Sequence, residues 1–261
     1  MPIAPPSLTY LNSFLLFVTA FIAGGLNAVA GGGSFISFPT LIFTGVSPIA
    51  ANATNNTALW VASLASAGAY RRDLDVDRRT MLILSSVSLV GGLLGSILLL
   101  YTSGDVFKKL IPYLLLLATV VFIFGESFKQ WLQSLNRSDA PKSLPLVYLV
   151  IIQLVVAIYG GFFGAGIGIL MLASLTFFNI RNIHAMNALK TWLGTCINGI
   201  AIIPFLFAGI IAWHQTIIMA IGGALGGYFI ANFARQIPSI LIRRFVSIVA
   251  ISMTTYFFIH G

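Results

Sequence analysis

Charge is the scarcest commodity in this sequence. Of 261 residues, 14 are Lys or Arg and 6 are Asp or Glu, 8% in all, against 58% hydrophobic; a soluble globular chain carries about a quarter charged residues. Residues 1–70, 80–104, 143–180 and 191–234 hold no charge at all. A hydrocarbon core about 30 Å thick takes roughly 20 apolar residues per helix, so each gap has room for one or two spans. The lone cysteine, Cys196, excludes a disulfide framework. No basic face interleaves with exposed aromatics, which excludes a nucleic-acid partner despite the surplus of cations. No cationic stretch precedes the first apolar run, Leu8 to Val29, and a run of about 22 residues exceeds a signal-peptide core, so it is expected to be a mature span.

Catalytic patterns are missing too. The sequence has no Cys/His set at zinc spacing, no Gly-x-Ser-x-Gly elbow and no Walker motif. No carboxylate pair sits at membrane depth for acid–base work. Its Gly-x-Gly strings follow no strand, so a nucleotide reading fails. No enzyme activity, metal or cofactor is expected; the expected partner besides a small solute is the lipid bilayer, and homo-oligomerisation is left open.

Apolar runs between charges and turn residues predict an all-α membrane protein of eight spans: Leu8–Ala30, Ile49–Tyr70, Thr80–Tyr101, Phe107–Phe124, Leu144–Gly164, Ile183–Phe207, Thr216–Phe233 and Ser239–Ile259. Eight spans put the segments 71–79 and 125–143 on the side of both termini. That side then holds seven cations and the other six, a slight lean to cytoplasmic termini.

Two stretches overrun a plain span. Gly31-Gly32-Gly33-Ser34 interrupts the first, and Gly164, Gly166 and Gly168 follow the fifth. An unbroken helix from Leu8 to Gly45 would reach about 57 Å, nearly twice the bilayer core, so each glycine cluster is expected to start a half-helix. The breaks look duplicated. Gly31 and Gly33 align with Gly166 and Gly168 at an offset of 135, as do Ala50–Ala53 with Ala185–Ala188 and Lys108-Lys109 with Arg243-Arg244; Gly91–Gly95 aligns with Gly222–Gly226 at 131. The chain divides into a first four-span repeat (1–125), a polar linker (126–143) and a second four-span repeat (144–261). Because four is even, the two four-helix repeats are expected to be parallel. Glycine-broken segments at matching places in two repeats point to a transport site.

The string from Ala30 through Gly-Gly-Gly-Ser-Phe-Ile-Ser-Phe to Pro39, followed by Ala50-Ala-Asn-Ala-Thr-Asn-Asn56, resembles the TauE/SafE family, the TSUP transporters. Its echo is Gly160-Gly-Phe-Phe-Gly-Ala-Gly-Ile-Gly168 with Ala185-Met-Asn-Ala188. The resemblance covers the whole chain. It implies a bacterial-type inner-membrane permease that moves small sulfur-containing anions such as sulfite or organosulfonates, usually outward. The second copy departs from the first, with Leu189-Lys190 where the first has Thr54-Asn55.

An anion site needs donors. A helix that starts inside the membrane presents free N–H groups and about half a positive charge, so Gly31, Gly32, Gly33 and Ser34 in one half and Gly166 and Gly168 in the other are candidates. Asn52, Thr54, Asn55 and Asn56 stand near the start of the next span, and Asn187, Lys190 and Thr191 occupy the matching place. Lys190 is the only charge between Asn182 and Ala234, about 10 Å into its span; a lysine at that depth marks function unless it snorkels to the interface. His184 and Arg181 are lesser candidates, and Gln153 serves as interhelical glue or pore lining. The expected activity is secondary transport, with export favoured; an anion channel, uptake of the same anions and a non-transporting scaffold are the alternatives.

Overall fold

The computed structural model describes residues 10–29, 31–70, 74, 76–135, 146–175, 183–234 and 239–260. Among these there are ten α-helices and no strand: α1 (Tyr10–Val29), α2 (Ser34–Phe43), α3 (Pro48–Tyr70), α4 (Arg78–Tyr101), α5 (Gly104–Leu135), α6 (Leu146–Phe162), α7 (Ile167–Leu175), α8 (Ile183–Phe207), α9 (Trp213–Ala234) and α10 (Ser239–His260). Every expected span has a helix at its place, and the two short helices α2 and α7 follow the two glycine breaks. α5 runs eleven residues past the expected end at Phe124, so the first ten residues of the expected linker are helical. Stretches of α1, α4, α5 and α8 are long and apolar enough to cross a bilayer.

α3 is different. Its residues 51–59 are all buried although four of them are Asn or Thr within 52–56, because α1, α2, α5, α8 and α9 surround it. Sheltered from lipid, it can carry polar side chains that a lipid-facing helix could not.

Residue contacts fix the helix directions. Going up α9, a Cβ on Gly222 would meet Phe17 O and one on Gly226 would meet Phe21 O, so α1 and α9 run parallel. Gly223 lies at Ala62 and Gly227 at Ser66, so α3 shares that direction. α4, α6 and α8 run the other way together: Ser88 pairs with Gln153, Gly95 faces Ile158, and Ser85 pairs with Trp192 while Gly92 faces Ile197. α5 and α10 are antiparallel, since Tyr113 meets Phe258, Thr119 meets Thr254, and Phe122 and Val246 share Gly32.

The expectation of parallel halves is therefore corrected. Trp60 Nε1 donates to Thr195 O at 3.1 Å where α3 and α8 cross, and the Thr119 and Thr254 hydroxyls lie 2.9 Å apart. Both pairs are separated by 135 in sequence, yet each joins antiparallel helices. The count of four spans left out the return path of the half-helix. Gly33 at the head of α2 packs against Ala23, and Phe43 at its foot stacks on Phe257 near the end of α10, so α2 travels back beside α1. With that return, α1 and α3 point the same way and each half changes sides.

The break is also out of register with the glycine alignment. Gly31 and Gly164 share φ 78° and donate to Leu26 O and Tyr159 O respectively. Ser37 and Leu170 likewise both donate to Gly33 O and Gly166 O. Gly31 thus matches Gly164, and Gly33 matches Gly166, at an offset of 133. Two apolar clusters flank the centre. One, rich in Phe (Phe38, Phe107, Phe163, Phe205, Phe257), lies toward the end where α1 starts and α10 stops. The smaller one (Leu84, Met171, Leu175, Met186, Leu189) lies toward the end where α5 stops and α6 starts.

Candidate functional site

The two glycine breaks meet. A Cβ on Gly31 would stand 3.1 Å from Gly168 Cα, and one on Gly168 would stand 3.1 Å from Gly31 Cα. A side chain at either place would be tight, and Gly31 also needs its left-handed φ. Around the contact lies a partly open cavity.

Seven of the thirteen expected residues line it: Gly31, Ser34, Asn55, Asn56, Gly168, Lys190 and Thr191. The other six serve the scaffold around it. Gly32 fits against Phe122 and Val246, Gly33 against Ala23, and Gly166 against Ala118. Asn52 donates to Phe162 O at 2.9 Å, tying α3 to the foot of α6. Thr54 Oγ1 accepts from Ala212 N at 3.0 Å, tying α3 to the start of α9. Asn187 is half-buried, and its carbonyl accepts from Thr191.

The backbone donors expected at the half-helix tips are largely engaged within the protein. Asn27 Oδ1 accepts from Gly33 N at 2.8 Å, and Phe35 and Ile36 donate to Gly32 O and Gly33 O. In α7, Ile167 donates to Gly164 O, and Ile169 and Leu170 to Gly166 O. Side chains carry more of the site than the tips do.

Among them Lys190 stands apart. It is 4% exposed, and its Nζ has no hydrogen-bond partner. Its Cδ lies 3.6 Å from where a Cβ on Gly168 would be, so its stem runs along the head of α7. Among the described residues no acidic side chain lines the cavity. An ammonium buried with no counter-charge costs several kcal/mol, a cost that an anion in the cavity removes. Asn55, by contrast, accepts from Ser37 Oγ at 2.6 Å and donates to Ser34 Oγ at 3.3 Å.

Four polar lining residues were absent from the expected set: Asn27, Ser63, Ser66 and Asn198. A signal for two of them was present. Ser63 follows Asn55 by eight residues and Asn198 follows Lys190 by eight, one face of a helix in each case. Gln153 is fully buried and donates to Ser88 at 2.8 Å away from the cavity lining, which makes it the glue between α6 and α4. His184 falls in the first turn of α8, while Arg181, Arg71 and Arg72 lie outside the described residues. Among the described residues no three His, Cys, Asp or Glu gather where a metal could bind.

The relatives found by sequence are membrane transporters by name. A probable membrane transporter protein of Haemophilus influenzae is 29% identical over 242 residues, covering 92% of both chains. The probable membrane transporter protein ORF9 of a Sinorhizobium species is 28% identical, over 91% of this chain and 89% of its own. The probable membrane transporter protein YfcA of Escherichia coli K12 is 26% identical, over 92% of this chain and 87% of its own. No solved structure matches. The sequence model described as sulfite exporter TauE/SafE matches residues 16–257, and the chain belongs to that family of multi-pass membrane transporters.

Proposed function

We propose that this chain is a secondary transporter that exports a small sulfur-containing oxyanion, sulfite or an organosulfonate, by alternating access around the central cavity. The observation that carries the reading is Lys190: a buried, unpartnered ammonium where two broken helices meet. Sulfite and sulfonate oxygens accept hydrogen bonds, and Lys190, Ser34 and Asn198 offer donors in one cavity. A cation carrier would be expected to place carboxylates there instead.

Two inverted repeats, α1–α5 and α6–α10, supply the machinery. The pairs α1·α9 and α4·α6, α3·α9 and α4·α8, and α2·α10 and α7·α5 exchange when the halves are swapped. That pattern supports a two-fold axis in the membrane plane, the arrangement in which a carrier rocks one half against the other. Toward the end bearing the chain termini, edge-to-face pairs such as Phe38–Phe163 and Phe107–Phe162 close the core beneath the cavity. A closed floor favours a carrier over an open anion channel.

The helix directions also change the sidedness. The helix ends and connections opposite the termini carry Arg71, Arg72, Arg78, Arg79, Lys129, Arg137, Lys142, Arg181, Arg235, Arg243 and Arg244; the terminal end carries Lys108 and Lys109, and Lys190 is the fourteenth cation. Eleven against two is a strong positive-inside signal. It supports a cytoplasmic linker end and external termini, the reverse of the lean from an even span count. An inside-negative potential then drives a bound anion outward by about 2.3 kcal/mol per charge per 100 mV.

The test is flux of sulfite and methanesulfonate in proteoliposomes at several potentials, wild type beside Lys190→Ala. Saturable, potential-driven flux that collapses in the variant is expected. Flux without saturation would identify a channel, and no flux of either anion would sink the substrate class.

A further inference from the structure

The offset of 135 that places Asn187 opposite Asn52 also places Lys190 opposite Asn55 and Thr191 opposite Asn56. In the first half, Asn55 bolts α3 to its own half-helix through both hydroxyls of the first turn of α2, Ser34 and Ser37. At the backbone offset of 133, the matching places in α7 are Ile167 and Leu170. Neither has a polar atom to offer. The second half therefore has the bolt, Lys190, without its socket: the amine is buried, lacks a partner, and its stem lies on Gly168 in the first turn of α7.

Resting on the transport reading above, we propose that the transported oxyanion binds between Lys190 and the backbone N–H of Gly168, the first-turn amide of α7 that no carbonyl among the described residues takes, in the place that the Ser34 and Ser37 hydroxyls hold in the first half, and so latches α7 to α8. α2 is then a permanently fixed half-helix and α7 a substrate-latched one. The anion oxygens supply the acceptors that Lys190 lacks. The motion of the carrier is concentrated in the second half, where substrate presence decides whether α7 is tied down. Glycine at 168 suits this role, since it keeps the head of α7 bare beside the amine.

Hydrogen exchange on the full chain in nanodiscs tests the proposal, with inorganic sulfite and methanesulfonate as probes. Without anion, amides of 167–175 should exchange faster than those of 34–43. Either probe should slow 167–175 by about tenfold or more and leave 34–43 unchanged. The variant Lys190→Asn/Ile167→Ser/Leu170→Ser copies the first half into the second; its α7 should be slow without anion and indifferent to it. If that variant does not fold, the wild-type comparison stands by itself. A preparation that transports both anions while α7 and α2 exchange alike and ignore them would overturn the latch and leave the carrier intact. A preparation that neither transports nor responds would overturn both.

Discussion

α3 and α8 are related by the sequence offset of 135, cross at the centre and contribute similar polar residues, but their side chains are employed differently. In α3 most of the polar groups are committed: Asn52 to Phe162, Thr54 to Ala212, Asn55 to Ser34 and Ser37, with the Asn56 Oδ1 left unpartnered. In α8, Lys190 is buried with nothing to hold. Four polar residues in five positions looked like the richer ligand site, and they are mostly mortar. A polar residue inside a membrane protein points to a ligand when its hydrogen bonds are unmet, and to architecture when they are met.

That contrast can be broken most directly by exchanging its two central residues for apolar ones. Lys190→Met should lower flux by at least about 100-fold, the scale of losing a buried charge pair, while raising the Tm, since an unpartnered amine disappears. Asn55→Leu should do the opposite to stability: it removes the partner of Ser34 and leaves Ser37 only its bond to Gly33 O, at a cost of about 1–3 kcal/mol, seen as a lower Tm in detergent. If both variants lowered Tm alike, the division of labour would be wrong.

Where the halves are alike, their responses should match. Gly95→Ala would press on Ile158 O and Gly226→Ala on Phe21 O, each costing about 1–3 kcal/mol through forced helix separation. Unequal losses in thermal unfolding would show that the α4·α6 and α1·α9 interfaces are not equivalent. A smaller effect belongs to the crossing of α5 and α10: Thr119→Val removes the bond to Thr254 and should cost about 1 kcal/mol.

The smallest lies outside the spans. Asp77 caps α4, and hydrogen bonds from Thr80 hold its carboxyl below the usual range. Its contribution is complete above the ordinary Asp pKa near 4 and is lost as pH falls through the lowered value. An acid titration of Tm should show this step in the wild type and not in Asp77→Asn, which still caps the helix but does not titrate.

Helix positions were legible in the sequence because apolar length and charge placement dictate them. So were the half-helices, since no bilayer accommodates 57 Å of helix. Relative direction was not, because it depends on where α2 goes after Gly31–Gly33, and a glycine cluster sets a break without setting its angle. The site was half legible. Lys190 showed itself by its charge, whereas Asn52 and Thr54 could be recognised as scaffold only once Phe162 and Ala212, more than a hundred residues away, were seen beside them.

The polar, sheltered character of α3 has a consequence for biogenesis. Its lateral exit into lipid cannot rest on its own hydropathy, because Asn52 and Thr54 meet Phe162 and Ala212 only when the end of α6 and the start of α9 arrive. Roughly 140 residues separate the end of α3 from the start of α9, which is about 7–30 s of synthesis at ribosomal rates. For that interval the nascent chain holds polar groups without their final partners at membrane depth. The order of translation, as much as the finished packing, is written into where this chain keeps its asparagines.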